Sequence, residues 1–171
     1  MTSARGGEPG NRRVFRPCGV CGPAWCRPCP SWSRTEVSSG LWVGGGDAPV
    51  TAADGFRLVV TLDPGVAASN PAGGWWPRRE LVLPFADAGP PDPALLDRAS
   101  TRIGRALDGG GPVLVRCHEG MNRAALVCAW YLVDRGAPPG TAIGAVRAAR
   151  SLPGEPALYN ESFVRMLLAR G

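Results

Sequence analysis

An α/β layer structure, with a sheet of about four to five strands and helices on both of its faces, is the fold class that three observations predict. From residue 40 onward, short apolar runs bounded by Gly, Pro and Asp alternate with longer stretches of helical period. The last third of the chain is helical in pattern almost throughout. With 171 residues and 44% hydrophobic content, the chain suits one domain with a sizeable core of its own.

The strands come first. "LWVGG" (41–45), "FRLVVTLD" (56–63), "ELVLPF" (80–85) and "PVLVRC" (112–117) are β-rich and end at turn residues. Helices lie between and after them. "PALLDRASTRIGRALDGG" is preceded by prolines and Asp92, sets Leu95, Leu96, Ala99, Ile103 and Leu107 on one face, and stops in glycines. "NRAALVCAWYLVDRG" is apolar all round, as a helix buried against a sheet must be, and ends at Gly136. "PGTAIGAVRAARSL" and "NESFVRMLLARG" complete the helical end, and no internal repeat is present.

The formal net charge of +5 belongs to one segment. Residues 1–35 hold six arginines and one acid, whereas the remainder holds thirteen of each, so the body is neutral and no nucleic-acid partner is expected for it. All nineteen basic residues are arginine and none is lysine, a codon-bias pattern that carries no function by itself. No apolar run is long enough to span a membrane, and the first 30 residues lack the apolar stretch of a secretory signal. A cytoplasmic protein with free thiols and no membrane partner is the expectation.

Residues 1–35 are rich in Gly, Pro, Arg and Cys without apolar period, and are read as a disordered leader. Cys18, Cys21, Cys26 and Cys29 form two CxxC pairs, the residue type for a four-thiolate zinc site. Only "GPAW" separates them, however, where structural zinc sites leave about a dozen residues or more for a folded connection, so leader sequence is the favoured reading.

The chemistry concentrates in "VRCHEGMNRAAL" (115–126). An apolar strand runs into a loop beginning at Cys117, and the loop runs into a helix beginning near Arg123. Backbone N–H groups at a helix start are unsatisfied and the helix dipole favours negative charge, so an anion belongs there. A phosphate and the Cys117 thiolate are two such anions. A cysteine in that field is expected to ionise well below its free value of about 8.5. Arg123 offers a planar fork for two phosphate oxygens, and Gly120 lets the loop turn its amides inward.

"CHEGMNR" is a CX5R loop, and its surroundings resemble the cysteine-based protein tyrosine phosphatases, in particular the dual-specificity phosphatases. "GLWVGGGDAP" is similar to that family's opening strand and turn, "FRLVVTLDP" to its second strand, and "AIGAVRAARSLPGEPALYNESFVRMLLAR" to its closing helices, so the resemblance spans residues 38–171. It implies a central mixed sheet flanked by helices, and a phosphoryl site made by His118, Glu119, Gly120, Met121, Asn122 and Arg123. It implies that Cys117 is the nucleophile and Arg123 its partner, that no cofactor or metal takes part, and that the substrate is a phosphorylated protein or a small phosphate monoester. It also implies an upstream aspartate as general acid. Asp87 in "LPFADAGPPD" follows the third run directly; Asp92 is the rival, though its place beside prolines at a helix start reads as an N-cap.

Two residues depart from the family pattern. Arg116 stands where His is usual, and either adds positive charge near Cys117 or points to solvent. Ala124 stands where Ser or Thr is usual; without that hydroxyl, release of the cysteine from a phosphoenzyme is expected to slow. An impaired, phosphate-binding interaction module is therefore the alternative function, and a rhodanese-type sulfur transferase a third reading that leaves Asp87 without a purpose. Cys128 reads as a small buried hydrophobe rather than a resolving thiol. His118, the only histidine, has no second histidine to share a metal with and lines the pocket floor or rim. Glu119 repels heavily phosphorylated lipids and inositols. Trp75 and Trp76 read as a packed core edge, and Arg78 and Arg79 as a solvated loop pair.

Overall fold

The apolar runs become strands, trimmed where proline removes a ladder donor. The computed structural model describes residues 33–46, 50, 52–68, 80–152 and 154–171. Within these, β1 (Arg34–Ser38), β2 (Leu41–Gly45), β3 (Leu58–Thr61), β4 (Glu80–Val82) and β5 (Val113–Cys117) form one sheet of order β1-β2-β5-β3-β4. Pro64 and Pro84 follow the short strands β3 and β4 closely. β2, β5, β3 and β4 run parallel, and β1 pairs antiparallel with β2, so the sheet is mixed.

β1 is the strand that periodicity does not reveal. "RTEVS" has a single large apolar residue, Val37, and occupies an edge, where a short charged strand is favoured. Arg34 and Thr35, which composition places in the leader, are thus sheet residues paired with Gly44 and Val43. Residues 1–32 of the leader, with its four cysteines, and Trp75, Trp76, Arg78 and Arg79 lie outside the described residues.

The helices are α1 (Pro64–Ala68), α2 (Pro93–Asp108), α3 (Arg123–Asp134), α4 (Pro139–Arg150) and α5 (Glu161–Leu168). Strand alternation divides the sheet's two faces. Leu41, Val43, Leu58, Val60, Val113 and Val115 enter one core with Leu96, Ile103, Leu126, Val146 and Phe163 from the four longer helices. The other face carries a smaller cluster, Phe56, Val59 and Leu114 with Trp42 and Val50 packed on it. Helices were expected on both faces; among the described residues, the four longer ones share a single face. On α2, Leu96, Ala99 and Ile103 are buried while Leu95 and Leu107 flank the core. Ala124 through Tyr131 of α3 are all buried, which accounts for the apolar sequence of that helix. At the C-terminus Arg170 lies over the Trp130 ring, 3.9 Å from its centroid, and bonds Asp97 and Asp134, joining the chain end to α2 and α3. No helix among the described residues is long and apolar enough to cross a membrane.

Candidate active site

Parallel strands bring their carboxyl ends to one edge of the sheet, and the chain that leaves each strand enters the same crevice. Cys117 closes β5, Asp63 follows β3, and Asp87 follows β4. Cys117 is 2% exposed and accepts a hydrogen bond from Gly120 N–H at 3.2 Å. The loop curls back on itself because Gly120 adopts φ +74°, and a Cβ there would come within 2.5 Å of the Gly44 carbonyl carbon and oxygen. No other residue type fits that position without displacing backbone.

Asn122 precedes α3 at its N-cap, where its side chain would ordinarily accept from the helix's own N–H groups. It makes no such bond. Its Oδ1 instead accepts from Tyr159 N–H at 2.9 Å and Asn160 N–H at 3.2 Å, and its Nδ2 faces Asp87 Oδ2 at 3.5 Å. The start of α3 is left without a side-chain cap, a condition that favours an anion at the loop. The same asparagine touches the Asp87 carboxylate, and the Asp87 loop is anchored again one residue later: Asn160 Nδ2 donates to the Ala88 carbonyl at 2.9 Å, and Ser162 Oγ to the same oxygen at 3.3 Å.

Arg123 folds across the crevice toward both aspartates. Its Nη2 donates to Asp63 Oδ2 at 2.7 Å, its Nη1 faces the Phe85 and Leu62 carbonyls, and its Nε lies 3.9 Å from Asp87 Oδ2. That buried Nε has no hydrogen-bond partner among the described residues. Burial alone would raise the Asp63 carboxyl, but Arg123 together with the N–H groups of Gly65 and Val66 holds it below its ordinary value, so it is an anion at neutral pH. Asp63 is a positioning residue that sequence reasoning missed; it sits 60 residues from Arg123 and carries only the signal of an acid after a strand.

Arg150 was missed as well. At the end of α4 it is 4% exposed and donates to the Glu119 carbonyl at 2.6 Å and to Ser33 Oγ at 2.7 Å, bracing the back of the loop. A buried arginine in a helix that ends beside the loop is legible only once the helix is placed.

The two readings of Arg116 both need correction. Neighbouring strand residues point to opposite faces, so Arg116 leaves the sheet on the side away from Cys117 and is 4% exposed. There its Nε donates to Thr61 Oγ1 at 3.0 Å, and its Nη2 lies 3.5 Å from Glu80 Oε1. Burial lowers its pKa from the ordinary arginine value, and Glu80 opposes the change. It is a component of the sheet's second face.

The expected depression of the Cys117 pKa is also corrected. Burial pushes the thiol above its ordinary value, and a smaller contribution from the Asp87 charge acts the same way; the N–H groups of Ala124 and Gly120 and the Arg123 charge pull it down without prevailing. Two signs follow. Asp87→Asn is expected to move the Cys117 midpoint to lower pH, and Arg123→Met to higher pH. Peptide-resolved alkylation by iodoacetamide across a pH series measures both, and a midpoint that neither substitution moves would show that these charges do not reach the sulfur. Cys128 does not confuse that readout, because it is fully buried inside α3 and burial pushes its own thiol up.

Asp92 accepts from Ala94 N–H at 2.9 Å as the N-cap of α2. His118 and Glu119 have exposed side chains at the rim, and Met121 is buried beneath the loop. The structure therefore brings Cys117, Gly120, Asn122, Arg123 and Asp87 to one crevice and sets Asp92 in a helix cap.

No family model matches the chain, and no curated protein matches it by sequence. Solved structures do. A mouse structure of the dual specificity phosphatase type, complexed with zinc tungstate, superposes with a TM-score of 0.63 at 26% identity, covering 88% of this chain and 91% of that one. Human DUSP28 gives a TM-score of 0.61 at 26% identity over 79% of this chain and 89% of its own. The chain belongs to the cysteine-based protein tyrosine phosphatase superfamily and is dual-specificity phosphatase-like. A human tyrosine phosphatase-like serine/threonine/tyrosine-interacting protein shares the superfamily fold with it, at 23% identity and a TM-score of 0.57 over 78% of this chain and 92% of that one. The mixed sheet, with its helical layer and the cysteine loop between β5 and α3, is thus a superfamily architecture carrying its own residues at positions 116 and 124.

Proposed function

We propose that the chain is a metal-independent phosphatase that hydrolyses phosphate monoesters, of phosphotyrosine or phosphoserine and phosphothreonine in proteins, through a cysteinyl-phosphate. The observation that carries this reading is the donor set around Cys117: a helix start without a side-chain cap, whose Ala124 N–H reaches the sulfur, and a buried Arg123 Nε without a hydrogen-bond partner among the described residues. A phosphoryl group on the loop would satisfy both. The Cys117 thiolate attacks phosphorus, the ester P–O bond breaks, and the Asp87 carboxyl delivers its proton to the departing oxygen. The Asp87 carboxylate then takes a proton from water as that oxygen attacks phosphorus, and the S–P bond breaks to return the thiolate. Arg123 holds two phosphoryl oxygens through the trigonal transition state while Asp63 keeps its fork in place. Tungstate, held by the mouse relative, is an oxyanion of the kind such a loop accepts.

Ala124 offers the sulfur its backbone N–H and no hydroxyl. A rapid-mixing assay with para-nitrophenyl phosphate in chelator is therefore expected to give a burst of nitrophenol followed by a slow steady rate. In Ala124→Ser, one added hydrogen bond to the departing sulfur is expected to raise that steady rate by about tenfold and to shrink the burst. Steady turnover without a burst in the unsubstituted protein would mean that breakdown of the intermediate is not limiting. The same residue favours a second reading, a module that binds phosphoryl groups without turning them over. Binding of tungstate with no nitrophenol release in either phase would establish that reading in place of the first.

A further inference from the structure

Residues 158–160 run along the outside of the phosphate loop and are fastened to it. Leu158 N–H donates to the Met121 carbonyl at 2.7 Å, and the next two N–H groups both donate to Asn122 Oδ1. Leu158 is the only non-glycine among the described residues with positive φ, at 57°, and it is fully buried. The left-handed region is costly for a branched side chain, so the surroundings must hold it there. The reversal has a consequence: Leu158 enters the core and the adjacent Tyr159 is thrown outward, 55% exposed.

Tyr159 is also the only aromatic among the exposed large hydrophobic residues described. Its backbone N–H rests on the asparagine whose Nδ2 faces Asp87, so this exposed residue stands beside both the Asp87 loop and the phosphate loop. Desolvation raises the phenol pKa, and the charges of Asp87, Glu119 and Cys117 raise it further while Arg123 lowers it. A half-exposed ring held beside the seat of a phosphoryl group by a strained backbone lacks only a flat partner. An aryl ester would offer such a ring a flat partner, whereas the alkyl arm of a serine or threonine ester would not.

We propose that Tyr159 is the aromatic wall of the leaving-group subsite and selects aryl phosphate esters of the phosphotyrosine kind over alkyl phosphate esters. This rests on the phosphatase reading above, and the test separates the two. Phosphotyrosine and phosphothreonine peptides of matched sequence are titrated calorimetrically against Cys117→Ser, alone and combined with Tyr159→Ala or Tyr159→Phe, with tungstate as a probe of the loop. Aromatic pairing is expected to make the phosphotyrosine peptide bind about three- to tenfold more weakly to the Tyr159→Ala form. Tyr159→Phe is expected to retain that affinity, and the phosphothreonine peptide and tungstate are expected to bind all three forms alike. Equal loss for both peptides, or no loss for either, with tungstate still bound, would overturn the role of Tyr159 and leave the phosphatase reading standing. Failure of every form to bind tungstate or either peptide would overturn both.

Discussion

Replacement of Cys117 by serine is expected to lower turnover of para-nitrophenyl phosphate by at least about a thousandfold, roughly 4 kcal/mol in the barrier, while tungstate still binds. The substitution exchanges sulfur for oxygen at a site that is 2% exposed, so the loop and the helix behind it keep their packing. The Gly120 turn and the Arg123–Asp63 pair do not depend on the sulfur and remain to hold an oxyanion. What is lost is the sulfur nucleophile, since a serine hydroxyl ionises far less readily than even a thiol whose pKa burial has raised. His118 is exposed at the rim and Cys128 is enclosed within α3, so neither replaces it. Near-normal turnover in the serine variant, measured at steady state alongside tungstate titration, would remove Cys117 from the reaction.

Asp87→Asn is expected to separate substrates by leaving group. Phenyl phosphate, whose departing oxygen needs a proton, is expected to fall by about 10²- to 10³-fold in kcat. Para-nitrophenyl phosphate, which departs as a stable anion, is expected to fall by less than about tenfold. Asp92→Ala is the control. It removes the N-cap bond to Ala94, so a loss of about 1 kcal/mol in stability and a lower Tm are expected, with kcat near normal. A normal rate on phenyl phosphate in Asp87→Asn, joined to a large fall in Asp92→Ala, would transfer the acid to Asp92.

The parts of this site that are local in the chain were legible from residues alone. Cys117, Gly120 and Arg123 lie within one loop whose geometry follows from a strand entering a helix, and Asp92 announced its cap by its place beside prolines. Arg116 shows a legible fact left unread: strand parity alone sends it to the face opposite Cys117. β1 shows the converse, since an edge strand of polar residues has no apolar period to detect.

By itself the sequence determined the alternation of strands and helices, the burial of α3, and the spacing of thiol and guanidinium, because apolar period and turn chemistry act over a few residues. Only the tertiary structure decided what surrounds that loop. Asp63 reaches Arg123 across 60 residues, Asn160 anchors Ala88 across 72, and Arg150 braces Glu119 across 31. It also decided the balance on the Cys117 thiol, where burial outweighs the amides and the arginine. Such contacts arise when parallel strands bring distant chain segments to a common edge, and desolvation depends on everything packed around the sulfur; neither is written in the residues adjacent to it.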